Sequence, residues 1–208
     1  LYAASIPHRH TLLRLIDHQS SELRRLGVEV RFGTPVHTAG DLGGPFDAAI
    51  VATGAVANPL DMETQGATVM RWIDVLKDGA PQPSGSGRAV FMDDGSGFWW
   101  NCGVAEALVQ AGWQVTIATP SASVAHMIPV ESVAPLLGRL AAGHTEFRVL
   151  TSLEGVSPGR VLLQPLVSGQ TEELACDLLV VQTGRSPVPG PVQALREAGI
   201  AEVHRIGD

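Results

Sequence analysis

Ile50-Val51-Ala52-Thr53-Gly54 closes an apolar run that starts after Asp47, and its pattern returns as Val180-Val181-Gln182-Thr183-Gly184-Arg185 after Asp177. Each reads as a strand covered on both faces, as in a parallel sheet, that stops at a Thr-Gly turn. A small residue followed by glycine lets the backbone come close to a flat or phosphorylated group there. A third landmark, Val203-His204-Arg205-Ile206-Gly207-Asp208, is a short strand running into Gly-Asp. Thr-Gly alone is common; the ordered set carries the reading.

Working outward, helix and strand signals alternate. His8 to Leu26 places Leu12, Leu13, Leu15, Ile16, Leu23 and Leu26 at helical spacing, and Gly27 stops that helix. Val28 to Phe32 alternates apolar and polar as a half-buried strand. Residues 78–87, rich in Gly, Pro and Ser, read as a linker or domain crossing. A βαβ unit follows: a strand at Ala89–Met92, a helix from Gly103 to Ala111 with Glu106 exposed, and a strand at Trp113–Ala118. A second helix is expected over Val130–Ala142, then short strands from Phe147 to Val181 with turns at Ser157-Pro158-Gly159 and Ser168-Gly169. The class is α/β, a mostly parallel sheet with an attached antiparallel layer.

Composition narrows the function classes. The chain has 208 residues, 45% of them hydrophobic, and a net charge of −7 with no Lys/Arg block. Nucleic acid and anionic membranes are therefore not expected partners. The two cysteines, Cys102 and Cys176, give neither a disulfide framework nor a CxxC centre nor a cysteine-ligated cluster, and both read as small buried apolar residues. No apolar segment reaches the ~20 residues of a bilayer span, and nothing at the start reads as a signal peptide, so a cytoplasmic location is expected.

In a dinucleotide-binding βαβ unit, G-x-G-x-x-G joins the first strand to its helix, so that backbone N–H groups meet the pyrophosphate. Here that place reads Asp93-Asp94-Gly95-Ser96-Gly97-Phe98-Trp99-Trp100-Asn101-Cys102-Gly103. The glycines are misplaced, two carboxylates stand where an anion would approach, and three aromatics follow. The second strand ends in Thr119-Pro120-Ser121, with no acid for ribose hydroxyls and no Arg for a 2′-phosphate. Both halves of the fingerprint fail, so NAD(P)H is a doubtful ligand. His8, His10 and His18 read as solvated histidines near the first helix, without metal partners at matching spacing, and His126 and His144 stand alone. Gly95-Ser96-Gly97 lacks the full G-x-S-x-G of a nucleophile elbow. No catalytic residue and no metal ligand is assigned.

The ordered landmarks resemble the two-dinucleotide flavoprotein fold: Rossmann-like, with an NAD-like domain inserted in an FAD-like one. More specifically, Tyr2-Ala3-Ala4-Ser5-Ile6-Pro7 before a helix, Leu26 to Arg31, Ala52-Thr53-Gly54, Trp72 to Leu76, Gly103 to Leu108, Leu150 to Val156, Thr183-Gly184-Arg185 and Ile206-Gly207-Asp208 resemble the C-terminal region of 2,4-dienoyl-CoA reductase and trimethylamine dehydrogenase type flavoproteins. The resemblance implies residues 1–75 as part of the FAD-type domain, 76–184 as the inserted NAD-like domain, and 185–208 as the return. It places the first FAD strand and its glycine loop before Leu1, leaving the FAD-type domain incomplete and the isolated chain inactive. It implies cofactor-proximal roles for Thr53, Gly54, Gly207 and Asp208 on the FAD side, and for Gly95, Gly97, Thr183 and Gly184 in the inserted domain. The implied cofactor is FAD, or ADP held as a relic. FMN and a 4Fe-4S cluster belong to an N-terminal TIM barrel that oxidises an amine or reduces an enoyl-type double bond, and the assembly is expected to be a homo-oligomer. The alternative is a non-catalytic nucleotide-binding or interaction module with a degenerate NAD site, its Trp99/Trp100 surface serving domain contact.

Overall fold

The computed structural model describes residues 2–207. In chain order its elements are α1 (Leu13–Arg25), β1 (Ala48–Val51), β2 (Ala55–Ala57), β3 (Val69–Arg71), α2 (Trp72–Asp78), β4 (Arg88–Met92), α3 (Trp99–Gln110), β5 (Gln114–Ala118) and α4 (Val130–Ala142). There follow β6 (Glu146–Arg148), β7 (Thr151–Ser157), β8 (Arg160–Pro165), β9 (Glu172–Ala175), β10 (Leu178–Val181), β11 (Arg185–Pro187), α5 (Val192–Glu197) and β12 (Glu202–Arg205). They form two units. One joins residues up to Gln19 with Pro59–Thr183, and the other joins Ser20–Asn58 with residues from Gly184 on. The sequence reading puts its divisions at 75/76 and 184/185 instead, and leaves the first 19 residues with the FAD-type half.

The first unit is built on a parallel sheet in the order β3-β10-β4-β5-β6. Its central strands β10 and β4 are apolar on both faces because both faces are covered. Ala89, Phe91, Val115, Ile117, Leu178 and Val180 pack with Leu108, Leu136 and Leu140 of the helices, while Val90, Leu179 and Val181 pack with Val156, Val161 and Leu163 of the β7-β8-β9 antiparallel layer. Phe91, Leu108 and Leu140 are fully buried. α4 spans the expected residues. α3 begins at Trp99, four residues before the expected start, and Glu106 lies inside, 3% exposed. The expectation of an exposed Glu106 is corrected: α3 is sandwiched between sheet and neighbouring elements, so the face read as solvated is covered.

The second unit holds two short ladders, β1 parallel to β12 and β2 antiparallel to β11. The expectation that β1 is covered on both faces is corrected: Ile50 is 67% exposed and Val51 alone is buried, because β1 sits in a two-stranded ladder among the described residues. α1 ends at a left-handed Gly27, whose N–H reaches Arg24 O while that of Val28 reaches Leu23 O, closing the helix as expected of glycine. Val28 to Phe32 is not a strand, correcting that expectation. Its alternation is real, but a strand needs a ladder partner, and no described segment pairs with it. Its apolar side chains stay exposed, Phe32 at 91%.

Candidate functional site

At the carboxyl edge of the parallel sheet, the crevice where open α/β folds take their ligands, three strands hand on to Gln182, Asp93 and Thr119. The ladder continues one residue past each strand: Gln182 N–H donates to Met92 O (2.9 Å), Asp93 N–H to Ala118 O (2.8 Å) and Thr119 N–H to Arg148 O (2.9 Å). The register therefore sets these three side chains in one row, on the face that α3 covers.

Asp93 is 1% exposed. Its carboxylate accepts from the Thr119 hydroxyl (2.9 Å), from Gly95 N–H (3.1 Å) and from the Asn101 amide. Asp94 accepts from Ser96 N–H (2.9 Å). The amides that a phosphate loop offers to a ligand are thus taken by the loop's own carboxylates. Burial, and after it the hydrogen bond and charge of Asp94, push Asp93 up to about 6. The carboxamide oxygens of Asn101 and Gln182 are buried without a hydrogen-bond partner among the described residues.

The loop is also covered. A Cβ on Gly97 would collide with the His126 ring, and one on Gly95 would stand 3.2 Å from Pro120 and 3.3 Å from Ser121. Ser121 Oγ donates to Gly95 O (2.9 Å) and Met127 N–H to Gly97 O (3.1 Å), fastening residues 121–127 over the loop. The aromatics are not the cover. Trp100 turns inward, its ring 4.5 Å from Phe98 and 6.0 Å from Trp72, and Trp99 lies under the Arg9 guanidinium at 4.1 Å.

The turns of the second unit are built differently. Gly54, Gly184 and Gly207 have φ of 70°, 73° and 91°, a conformation that glycine alone adopts freely. Thr53 Oγ1 donates to Val188 O (2.6 Å), and Gly54 O accepts from Val188 N–H (2.8 Å). Gly184 O accepts from Asn58 N–H (3.1 Å), so the loops after the two Thr-Gly signatures are laced together through β2 and β11. A Cβ on Gly54 or Gly207 would meet nothing within 4 Å, and one on Gly184 only Asn58 at 3.4 Å. Thr53 is exposed and Thr183 half-buried, while Asp208 lies outside the described residues. The structure brings Gly95 and Gly97 together and brings Gly54 and Gly184 into one ladder region, and the glycines of the two units differ in what faces them: open space in one, the protein's own side chains in the other.

Elsewhere, burial pushes the thiol of Cys102 up to about 12 and that of Cys176 to about 11, which fits small apolar packing residues rather than nucleophiles. His8 is more than a solvated histidine: its Nε2 stands 3.4 Å from Glu106, which also holds Arg139. Sequence reasoning missed Asn101, Gln182 and this trio. The ladder register finds Gln182, but nothing local in sequence joins His8, Glu106 and Arg139, which come from the turn before α1, from α3 and from α4. No three His, Cys, Asp or Glu side chains converge as a metal site among the described residues, and no helix among them is long and apolar enough to cross a membrane.

No family model matches the sequence. A probable N-methylproline demethylase of Rhizobium meliloti (strain 1021) is 27% identical over 189 residues, 89% of this chain and 27% of that protein. The amine oxidase HisD of Pseudomonas geniculata N1, acting on 6-hydroxypseudooxynicotine, superposes with a TM-score of 0.83 at 24% identity, covering 100% of this chain and 33% of its own. Histamine dehydrogenase from Rhizobium sp. 4-9 gives 0.83 at 22% identity over 98% of this chain and 34% of its own, and a 2-naphthoyl-CoA reductase gives 0.81 at 16% over 100% and 30%. The chain spans about a quarter to a third of the length of these proteins.

Proposed function

We propose that this chain, whose Rossmann-like flavoprotein fold matches the nucleotide-binding portion of such oxidoreductases, serves as the nucleotide-holding part of an FMN and iron–sulfur flavoprotein whose barrel oxidises an amine or reduces an enoyl-type bond. The similarity to amine-oxidising and acyl-CoA-reducing enzymes supports that reading. FAD or ADP would lie against Thr53, Gly54, Gly207 and Asp208, with Thr183 and Gly184 at the crossing. The residues present fit such a group: Gly54 and Gly207 are turned into the left-handed region with open space where a side chain would stand. When bound, a flavin supplies an acceptor for a hydride and a donor of single electrons. The chain's own part is to present backbone close to the nucleotide and to hold a strand end at a carboxylate for sugar hydroxyls.

NAD(P)H does not fit. The observation that carries this is the closure of the β4–α3 loop: its amides bind Asp93 and Asp94, and Gly97 lies under His126. A diphosphate would have to displace both carboxylates against Coulomb repulsion. No step is therefore routed through a pyridine nucleotide, and electrons would pass between the barrel's FMN, its cluster and an external acceptor, in a homo-oligomer of the cytoplasm.

The test is a thermal-shift titration with ADP, FAD, NADH and NADPH, since a ligand that binds only the folded state raises its melting temperature by mass action. A shift with ADP or FAD and none with NADH or NADPH is expected. A saturable shift with either reduced pyridine nucleotide, abolished by Gly97→Val, overturns the reading.

A second reading, a contact module, is favoured by another surface than the expected tryptophan pair. α1 buries none of its residues, and Leu26, Val28, Val30 and Phe32, which follow it in the chain, are exposed.

A further inference from the structure

A cavity of about 230 Å³ opens in the first unit, away from the glycine loop's carboxylates, between residues 6–9, α3 and α4. That is room for roughly eight waters at about 30 Å³ each, or for one small ring with a substituent. Its lining combines apolar surface from Ile6, Leu136 and the indole of Trp99 with polar groups of mixed sign.

The charges sort themselves. Glu106 is matched by Arg139, whose Nη2 also reaches its second oxygen at 3.3 Å. Arg9 has no carboxylate partner among the described residues; its guanidinium carbon instead stands 4.1 Å from the Trp99 ring centroid. With no carboxylate taking them, its N–H donors are left for a planar or tetrahedral oxyanion, the geometry arginine is suited to. His8, in the left-handed region with φ of 63°, spends Nε2 on Glu106, and its Nδ1 has no partner among the described residues. A non-glycine residue held there marks a position that the surroundings over-determine. The opposing carboxylate is Glu131, which is exposed and therefore screened by solvent. The cavity thus offers Arg9 donors that no carboxylate takes, beside the apolar surface of Ile6, Leu136 and Trp99.

We propose that this cavity binds a small aromatic oxyanion, its ring lying between Trp99 and Leu136, its anionic oxygens on the Arg9 guanidinium and a neighbouring polar atom on His8 Nδ1. The site is separate from the nucleotide turns of the proposed function and does not depend on them. The ligand chemistry is an anion on a flat ring, which an aromatic carboxylate or an aryl phosphate supplies equally.

The experiment is calorimetric titration of the 208-residue chain with benzoate, phenyl phosphate, inorganic phosphate and benzylamine, with tryptophan fluorescence followed in parallel. Saturable binding of benzoate, phenyl phosphate or both is expected in the millimolar range or below, with quenching, while benzylamine is silent. Binding of one alone names the anion. Arg9→Gln should weaken binding about tenfold, Arg9→Lys should fall between, and Trp99→Leu should remove the preference for aryl over inorganic phosphate. Arg160→Gln, at an exposed pair with Glu173, is the control that leaves binding unchanged. The proposal is overturned by no saturable binding of either aryl anion, by inorganic phosphate binding as well as phenyl phosphate, or by unaltered affinity in a folded Arg9→Gln protein.

Discussion

Replacing Asp93 with asparagine tests whether the burial of its carboxyl in the glycine loop makes the stability of the first unit depend on pH. In the folded protein Asp93 is pushed from the ordinary carboxylate range up to about 6 by burial, with Asp94 adding to the effect. Because the folded value lies above the unfolded one, the neutral form favours folding. That contribution is fully present below pH ~4 and is lost as pH rises through about 6. Each tenfold change in proton affinity is worth about 1.4 kcal/mol, so the whole swing is about 3 kcal/mol. The asparagine side chain cannot ionise. Its amide oxygen keeps the acceptor that Gly95 N–H and Asn101 use, while its NH2 can donate to the Thr119 hydroxyl. The assay is urea unfolding of wild type and Asp93→Asn at half-unit steps from about pH 4 to about pH 7.5, reading the difference between the two proteins so that other carboxylates cancel. Wild type should lose about 3 kcal/mol relative to the variant across that window, most of it between about pH 4 and 6. A difference that stays flat, or that moves in favour of wild type as pH rises, refutes the argument that Asp93 is desolvated and neutral-favouring.

Gly103→Ala places a methyl against Ile6, which is 3% exposed, and should destabilise the first unit by about 1–3 kcal/mol while loosening residues 2–12 to proteolysis. Leu140→Ala, at a fully buried position of α4, should cost about 2–5 kcal/mol in urea unfolding. Arg139→Met leaves the Glu106 carboxylate, 5% exposed, with His8 alone beside it and should cost about 3 kcal/mol. Glu106→Gln instead removes the buried charge and leaves partners 37% and 57% exposed, so it should cost about 1 kcal/mol, the two being compared in a double-mutant cycle.

The parallel sheet was legible because β4 and β10 are apolar without alternation in Ala89–Met92 and Leu178–Val181, and because β5, which does alternate, follows β4 across a helix. Gly27 stopping α1 was legible for the same local reason. The alternation of Val28 to Phe32 misled, because a strand is defined by its partner as much as by its own pattern. Glu106 misled in the other direction. A charged residue in a helix reads as solvated until a distant arginine, here Arg139, comes to meet it. The failed phosphate fingerprint at Asp93–Gly97 was visible, but its physical form was not. The bulky Trp99 and Trp100 were the obvious obstruction in the sequence, whereas the cover comes from Pro120, Ser121 and His126, much further along the chain.

The laced glycine loop has a consequence for the cell rather than for chemistry. A phosphate loop that waits for its ligand is firm only when the ligand is abundant, so its order rises and falls with the pool. This loop carries its counter-groups in the same covalent chain, at a concentration that never changes. Starvation, a swing in the ratio of reduced to oxidised pyridine nucleotide, or dilution of the protein would leave it unaltered, and the first unit would stand as firmly in a depleted cell as in a fed one.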